Sequence, residues 1–301
     1  MNKEALKQIG VETISHFREI KEKCPKEVEA SLKGTVCYDF DMIDKLVEKM
    51  DVVKGEGGAG AAAPAAAAPG APAAAAAAAA GAEETKVKPR EEAKIDVLNL
   101  DTLECAIKMI NDGFNPLVLN MASDRCLGGG FKQGSVAQEE EIFRRTTYAM
   151  LLTGTKIKKS YPLRKDQCIY SPNIFAFRAS KKENYYLLDW KDCKWMSFIA
   201  MPAIRNPVLT DGKYNKEDEE TMYSKIRAIF KVAVINKHDS LVLSALGAGC
   251  FNNPPWGVAK IFKQVIAEFK NQFKYIAFAI LTDKNDKHGN FKIFKDILKP
   301  E

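Results

Sequence analysis

The chain has 301 residues, 46% of them hydrophobic, but residues 55–82 distort that figure: they hold 18 Ala, 6 Gly, 3 Pro and one Glu. The other 273 residues are about 44% hydrophobic, ordinary for a globular protein, and enough for one sizeable core. No G-X-Y period exists and large apolar residues recur throughout, which excludes collagen and wholesale disorder. Net charge is +6, and residues 83–301 alone carry 35 basic and 27 acidic groups, or +8. That surplus suits a polyanionic partner and equally an ordinary lysine-rich surface, since no run of five basic residues occurs.

Seven cysteines lie far apart with no CxxC pair, and three histidines (16, 238, 288) form no HExxH or Cys/His cluster. Neither a disulfide framework nor a structural zinc is expected. The N-terminus, MNKEALKQIGVETISHF, lacks the apolar stretch of a signal peptide. Residues 57–82 are uncharged and long enough by count to span a bilayer, but Ala, Gly and Pro partition poorly into lipid. The expected location is a reduced intracellular compartment, cytoplasmic or nuclear.

Leu6, Ile9, Thr13, Phe17 and Ile20 fall three to four apart and predict a helix over 3–22, with Pro25 just beyond it. A strand is expected over 34–40 and a short helix over 42–50. Residues 55–93 read as an Ala/Gly/Pro-rich loop or linker. It either tethers residues 1–54 as a separate module or is an expanded loop within one domain, whose first helix packs back onto the core. As a free coil, 28 residues span ~30 Å. From residue 94 strand and helix signals alternate. Asp101 to Glu104 reads as an N-cap with a capping box, and Asn111-Asp-Gly113 as the stop. Helices are expected over about 138–152, 217–235, 256–270 and 290–298. Buried strands are expected at 116–121, 168–170, 185–188, 197–203, 241–245 and 275–281. The pattern predicts a three-layer α/β/α core over 94–301 with an N-terminal helical extension packing on it.

Two predicted strands end in glycine-rich loops. The first runs from Asn120 through Gly128-Gly129-Gly130 to Gln138-Glu139-Glu140-Glu141. The second runs from Ser244 through Gly247-Ala248-Gly249-Cys250-Phe251 to Pro255. Ligands of open α/β sheets bind at the carboxyl ends of strands, and glycine lets backbone N–H groups approach closely. The pair resembles a cradle for a phosphorylated ligand, although GxxxxGK[ST] is absent and the first loop misses the dinucleotide fingerprint. Carboxylates beside an anion cradle suggest proton transfer.

Gly-Gly-Gly, seven residues, then Gln-Glu-Glu is similar to the signature of the bacterial-type poly(ADP-ribose) glycohydrolases, a branch of the macrodomain superfamily. VLNMASDRCLGGGFKQGSVAQEEEIFRRTTY at 118–148 resembles their catalytic region, and LVLSALGAGCFNNPPWGVAKIF at 241–262 their diphosphate loop. The resemblance implies a macrodomain with a mixed sheet that binds ADP-ribose and cleaves ribose–ribose O-glycosidic bonds. It implies that Glu140 is the acid/base and that Glu139 orients ribose hydroxyls. Gly128, Gly129 and Gly130 would form the catalytic loop, with Asn120 and Gln138 beside the ribose. Gly247, Ala248, Gly249 and Cys250 would offer amides to the diphosphate, with Phe251 packing on the ligand. The leaving oxygen of an oxocarbenium-like reaction needs a proton, so Glu140 must hold one when substrate binds. No metal or other cofactor is required.

The sequence departs from that family at Leu127, where Pro is common, and at Ala248 and Cys250. Glu141 makes a third consecutive acid, so the assignment of Glu140 rests on register. No residue is assigned to adenine. The expected partners are poly(ADP-ribose) or an ADP-ribosylated protein, with ADP-ribose as product and no direct nucleic-acid or membrane binding. The alternatives are an ADP-ribose reader without turnover, and a hydrolase of mono-ADP-ribosylated protein or nucleic acid.

Overall fold

The computed structural model describes residues 1–55, 92–152, 156–269, 271–282, 286 and 289–299. Most of the Ala/Gly/Pro-rich stretch therefore lies outside the described residues. A seven-stranded sheet is built from β1 (Val36–Asp39), β2 (Lys94–Leu98), β3 (Pro116–Asn120), β4 (Gln167–Ala176), β5 (Lys194–Ala200), and two later strands. Beyond the short hairpin of β6 (Leu209–Thr210) and β7 (Lys213–Tyr214), β8 (Ser240–Leu243) and β9 (Tyr275–Ala279) complete it, in the order β1-β4-β5-β3-β8-β9-β2. All pairings from β5 to β2 are parallel, and β4 runs antiparallel to both β1 and β5, so the sheet is mixed.

The central strands sort their side chains by the period-2 rule. Leu117, Leu119, Leu241, Leu243, Ile276 and Phe278 join one core, and Val118, Val242, Ala277 and Ala279 the other. The first core is covered by α3 (Phe40–Gly55), α6 (Lys216–Ile235), α7 (Pro255–Glu268) and α8 (Asn290–Ile297). The second is covered by α1 (Lys3–Lys23), α2 (Pro25–Gly34), α4 (Thr102–Asn111) and α5 (Gln138–Arg145). The result is a three-layer α/β/α fold with strands buried on both faces.

Residues 1–55 are woven into this fold. β1 supplies an edge strand, pairing Val36 to Tyr170 and Asp39 to Gln167. On α1, Thr13 Oγ1 donates to Arg144 O (2.6 Å). Leu6 and Ile9 bury against Tyr185.

Several local expectations change. Pro25 opens a second helix instead of closing the first, because a proline at the first helical position loses no needed N–H. The predicted helix over 138–152 splits at Thr146, which is extended (φ −139°, ψ 165°) and bridges Ala176; a 3₁₀ turn, Thr147–Leu152, follows. No strand forms at 185–188, where Tyr185 has positive φ and Leu187 makes a single bridge to Arg178. The β6–β7 hairpin turns on Asp211-Gly212, both with positive φ, a short-range signal present in the sequence. The cysteines are all free thiols.

Candidate active site

β3 and β8 are neighbours at the centre of the sheet, so their carboxyl ends bring the two glycine loops side by side. Asn120, the last residue of β3, is fully buried, and both its side-chain polar atoms lack a hydrogen-bond partner. Gln138 fastens the start of α5 to this strand end. Its Oε1 accepts from Met121 N (2.8 Å), and its Nε2 donates to Leu119 O (2.7 Å) and Thr102 Oγ1 (3.2 Å). Gln138 thus clamps the backbone on both sides of Asn120, and both ends of its amide are committed to protein.

The next two residues turn into the glycine loop. Glu139 accepts from Ser123 N at Oε2 (2.8 Å) and from Gly128 N at Oε1 (3.2 Å). Burial pushes its carboxyl up to about 8, against the pull of these two amides. Glu140 is also buried; Oε1 accepts from Gly130 N (2.7 Å), while Oε2 has no protein partner. Gly129 passes so close to the acids that a Cβ there would lie 2.5 Å from Glu140 Oε1 and 2.9 Å from Glu139 Oε2. Its φ of +52° also disfavours any side chain. Leu127, the departure from the proline pattern, is 7% exposed and packs into the core beneath the loop.

Glu141 points elsewhere. Its carboxylate takes Arg144 Nη1 (3.2 Å) and the Tyr185 hydroxyl (2.5 and 2.7 Å to its two oxygens). The fully buried Arg144 also donates to Ser135 O (2.5 Å) and Leu6 O (3.4 Å). A helix advances about 100° per residue, so three consecutive acids cannot share one face. Glu139 and Glu140 therefore meet the glycine loop, and Glu141 turns away from it to Arg144 and Tyr185.

The second loop is shaped by Asn253, which sequence reasoning missed. Its Nδ2 donates to Ile204 O (2.7 Å), Gly247 O (3.1 Å) and Phe251 O (3.2 Å), and its Oδ1 accepts from Tyr214 (2.8 Å). Gly247, with φ +75°, has Asn253 Nδ2 2.5 Å from where its Cβ would stand. The Ala248 amide donates to Ala245 O (3.0 Å), so it is already committed inside the loop. The amides of Gly247, Gly249, Cys250 and Phe251 find no acceptor among the described residues. A small cleft between the loops is lined by Met121, Ala122, Ala203, Gly247, Cys250 and Phe251. Arg205, also missed, joins the loops: it pairs with Asp124 and lies over Phe251. Arg205 belongs to no motif; Asn253 lies within the 241–262 stretch, beside Pro254-Pro255, but sequence reasoning assigned it no role.

Among the described residues no cluster of His, Cys, Asp and Glu could hold a metal ion, and no helix is long and apolar enough to cross a membrane. The sequence model of a family described as microbial-type PARG, catalytic domain, matches residues 16–179. The chain belongs to this family. In the microbial-type PARG family, then, the matched span takes in the end of α1, the first glycine loop and both buried acids, and stops before the second loop.

Solved structures agree in fold. The poly(ADP-ribose) glycohydrolase of Thermomonospora curvata bound to the inhibitor ADP-HPD is 22% identical, with TM-score 0.71, covering 97% of this chain and 99% of that one. The Deinococcus radiodurans enzyme in complex with ADP-ribose is 23% identical, with TM-score 0.66, covering 91% and 97%. No curated protein matches by sequence.

Proposed function

We propose that this PARG-family chain hydrolyses the ribose–ribose O-glycosidic bond of poly(ADP-ribose) with Glu140 as its acid/base, releasing ADP-ribose. Family membership supports the activity. One observation carries the role of Glu140: of the acids at 139–141, only its carboxyl keeps an oxygen free of protein partners at the glycine loop.

The Gly130 N–H occupies Oε1, which leaves Oε2 to carry the proton. Oε2 gives that proton to the leaving ribose oxygen as the bond to the anomeric carbon breaks, with the electron pair going to oxygen. Water then adds to the anomeric carbon, returning a proton to Glu140. Glu139 holds the Ser123–Gly128 segment in shape, and with Asn120 it orients ribose hydroxyls. The free amides of the second loop receive the diphosphate, and Phe251 packs against the ligand. The substrate is the polymer, or the polymer on a modified protein. Residues 1–55 act within this same domain, as docking of α1 behind the catalytic loop supports.

Release of ADP-ribose from automodified protein tests the reading. Glu140→Gln should lower turnover roughly 10²–10⁴-fold, the usual worth of a positioned proton donor. Near wild-type turnover in that variant rules out this mechanism. ADP-ribose binding by wild-type protein with no release would make it a reader.

A further inference from the structure

Gly129 belongs to two neighbouring features. A Cβ on it would meet the carboxyls of Glu139 and Glu140. Gly129 also lines a cleft of about 350 Å³ together with Gly128, Arg125, Lys132, Lys158 and Tyr161. This cleft is larger than the one between the two glycine loops, about 100 Å³. Neither acid of the site lines it.

We propose that this cleft is a subsite for the departing side of the polymer, taking a phosphate of the unit next to the bond being cut. The inference rests on the glycohydrolase reading above and adds to it where the rest of the chain runs. Arg125, Lys132 and Lys158 are all exposed, and none has a carboxylate partner among the described residues. Arg205 is different, since Asp124 pairs with it. Three cations lining one cleft with no carboxylate between them repel one another. A polyanion relieves that repulsion. The Tyr161 ring lines the same cleft, and its hydroxyl is buried without a protein partner.

The reaction itself requires such a surface. The scissile bond joins two units, and one of them is held between the glycine loops. The other leaves carrying its own diphosphate, and Glu140, which gives its ribose oxygen a proton, stands against the glycine loop at Gly129 and Gly130. A cleft lined by Gly128, Gly129 and three unpaired cations lies against that same loop.

Two variants test the proposal: the triple Arg125→Ala/Lys132→Ala/Lys158→Ala protein and the single charge reversal Lys132→Glu. All three side chains are exposed, so folding is not at risk, and thermal melts would verify it. The readouts are kcat and KM on long poly(ADP-ribose), and the Kd for ADP-ribose by calorimetry. Losing phosphate contacts should raise the polymer KM roughly tenfold in the triple variant and flatten its salt dependence, with kcat and the ADP-ribose Kd within about twofold. An unchanged polymer KM overturns the proposal. So does an ADP-ribose Kd that rises in parallel, because the cations then serve the retained unit. If wild-type protein releases no ADP-ribose, the activity reading fails by itself. The subsite is then read from binding of uncleaved polymer against ADP-ribose in the same variants. Weaker polymer binding with ADP-ribose unchanged supports it, and an equal loss for both ligands, or none, overturns it.

Discussion

Arg205 fastens one glycine loop to the other: its guanidinium bonds Asp124 Oδ1 through Nη2 (2.5 Å) and Nε (3.1 Å) and lies 3.9 Å over the Phe251 ring. Asp124 belongs to the loop after β3 and Phe251 to the loop after β8. The pair is partly exposed, so it contributes only about 0.5–1 kcal/mol to stability. Its larger effect is on the spacing of the loops. Arg205→Met should weaken ADP-ribose binding roughly tenfold while shifting the unfolding free energy by about 1 kcal/mol or less. A double-mutant cycle with Asp124→Asn should show coupled effects on binding; additive effects would mean that each residue acts alone.

Gly129→Ala places a methyl against both buried carboxyls and forces a side chain into positive φ. Backbone strain of this kind costs about 1–3 kcal/mol. The domain should still fold, but turnover should fall more than about tenfold, since a misplaced acid loses its proton-transfer geometry. Kinetics beside a denaturant titration separate the two losses. Full activity in this variant would show that the loop has room to move away from Glu140.

Glu141→Gln is the control for register. It removes the charge opposite the fully buried Arg144 and weakens the link to Tyr185, at a cost of about 1–3 kcal/mol in stability. Turnover at a temperature well below unfolding should stay within about threefold of wild type, because a residue off the reacting face does no proton transfer. A loss as deep as that of Glu140→Gln would move the catalytic assignment by one residue.

His238 predicts the acid limb of stability. Burial lowers its imidazole to about 4 from an ordinary 6.5. It sits between Tyr170 (3.2 Å) and Asn115 O (3.1 Å). Between those values the unfolded chain binds the proton and the native chain does not. Its contribution is therefore present above about 6.5 and lost as pH falls through 4, on the order of 3 kcal/mol. Glu139 acts in the opposite sense, for its carboxyl is raised from 4.5 to about 8. The native state holds that proton longer, so its share is present below 4.5 and lost as pH rises through 8. Urea midpoints from pH 4 to 8 should therefore separate the groups. His238→Gln should flatten the acid limb, and Glu139→Gln should remove the decline toward pH 8. An unaltered acid limb in His238→Gln would exclude that assignment.

The sequence by itself determined what is local or repeats along the chain. Apolar runs of buried strands, the Asp101 N-cap and the α4 stop at Gly113 are written in consecutive residues, and so are the two glycine loops and the QEE motif. Tertiary structure decided what depends on contacts across the chain. Pro25 could open a helix or merely follow one, and only packing against the core chose. Thr146 left the helical path because Ala176 offered it a bridge. That Glu139 and Glu140 face the loop while Glu141 does not follows from the angle of α5, set in turn by Gln138 on β3 and by Tyr185 on Glu141. The roles of Asn253 and Arg205 were not legible, because a side chain that bonds backbone 49 residues away, or a carboxylate 81 away, leaves no periodic trace. Chemistry is legible where neighbours in sequence share it; the arrangement of that chemistry belongs to residues that only folding makes neighbours.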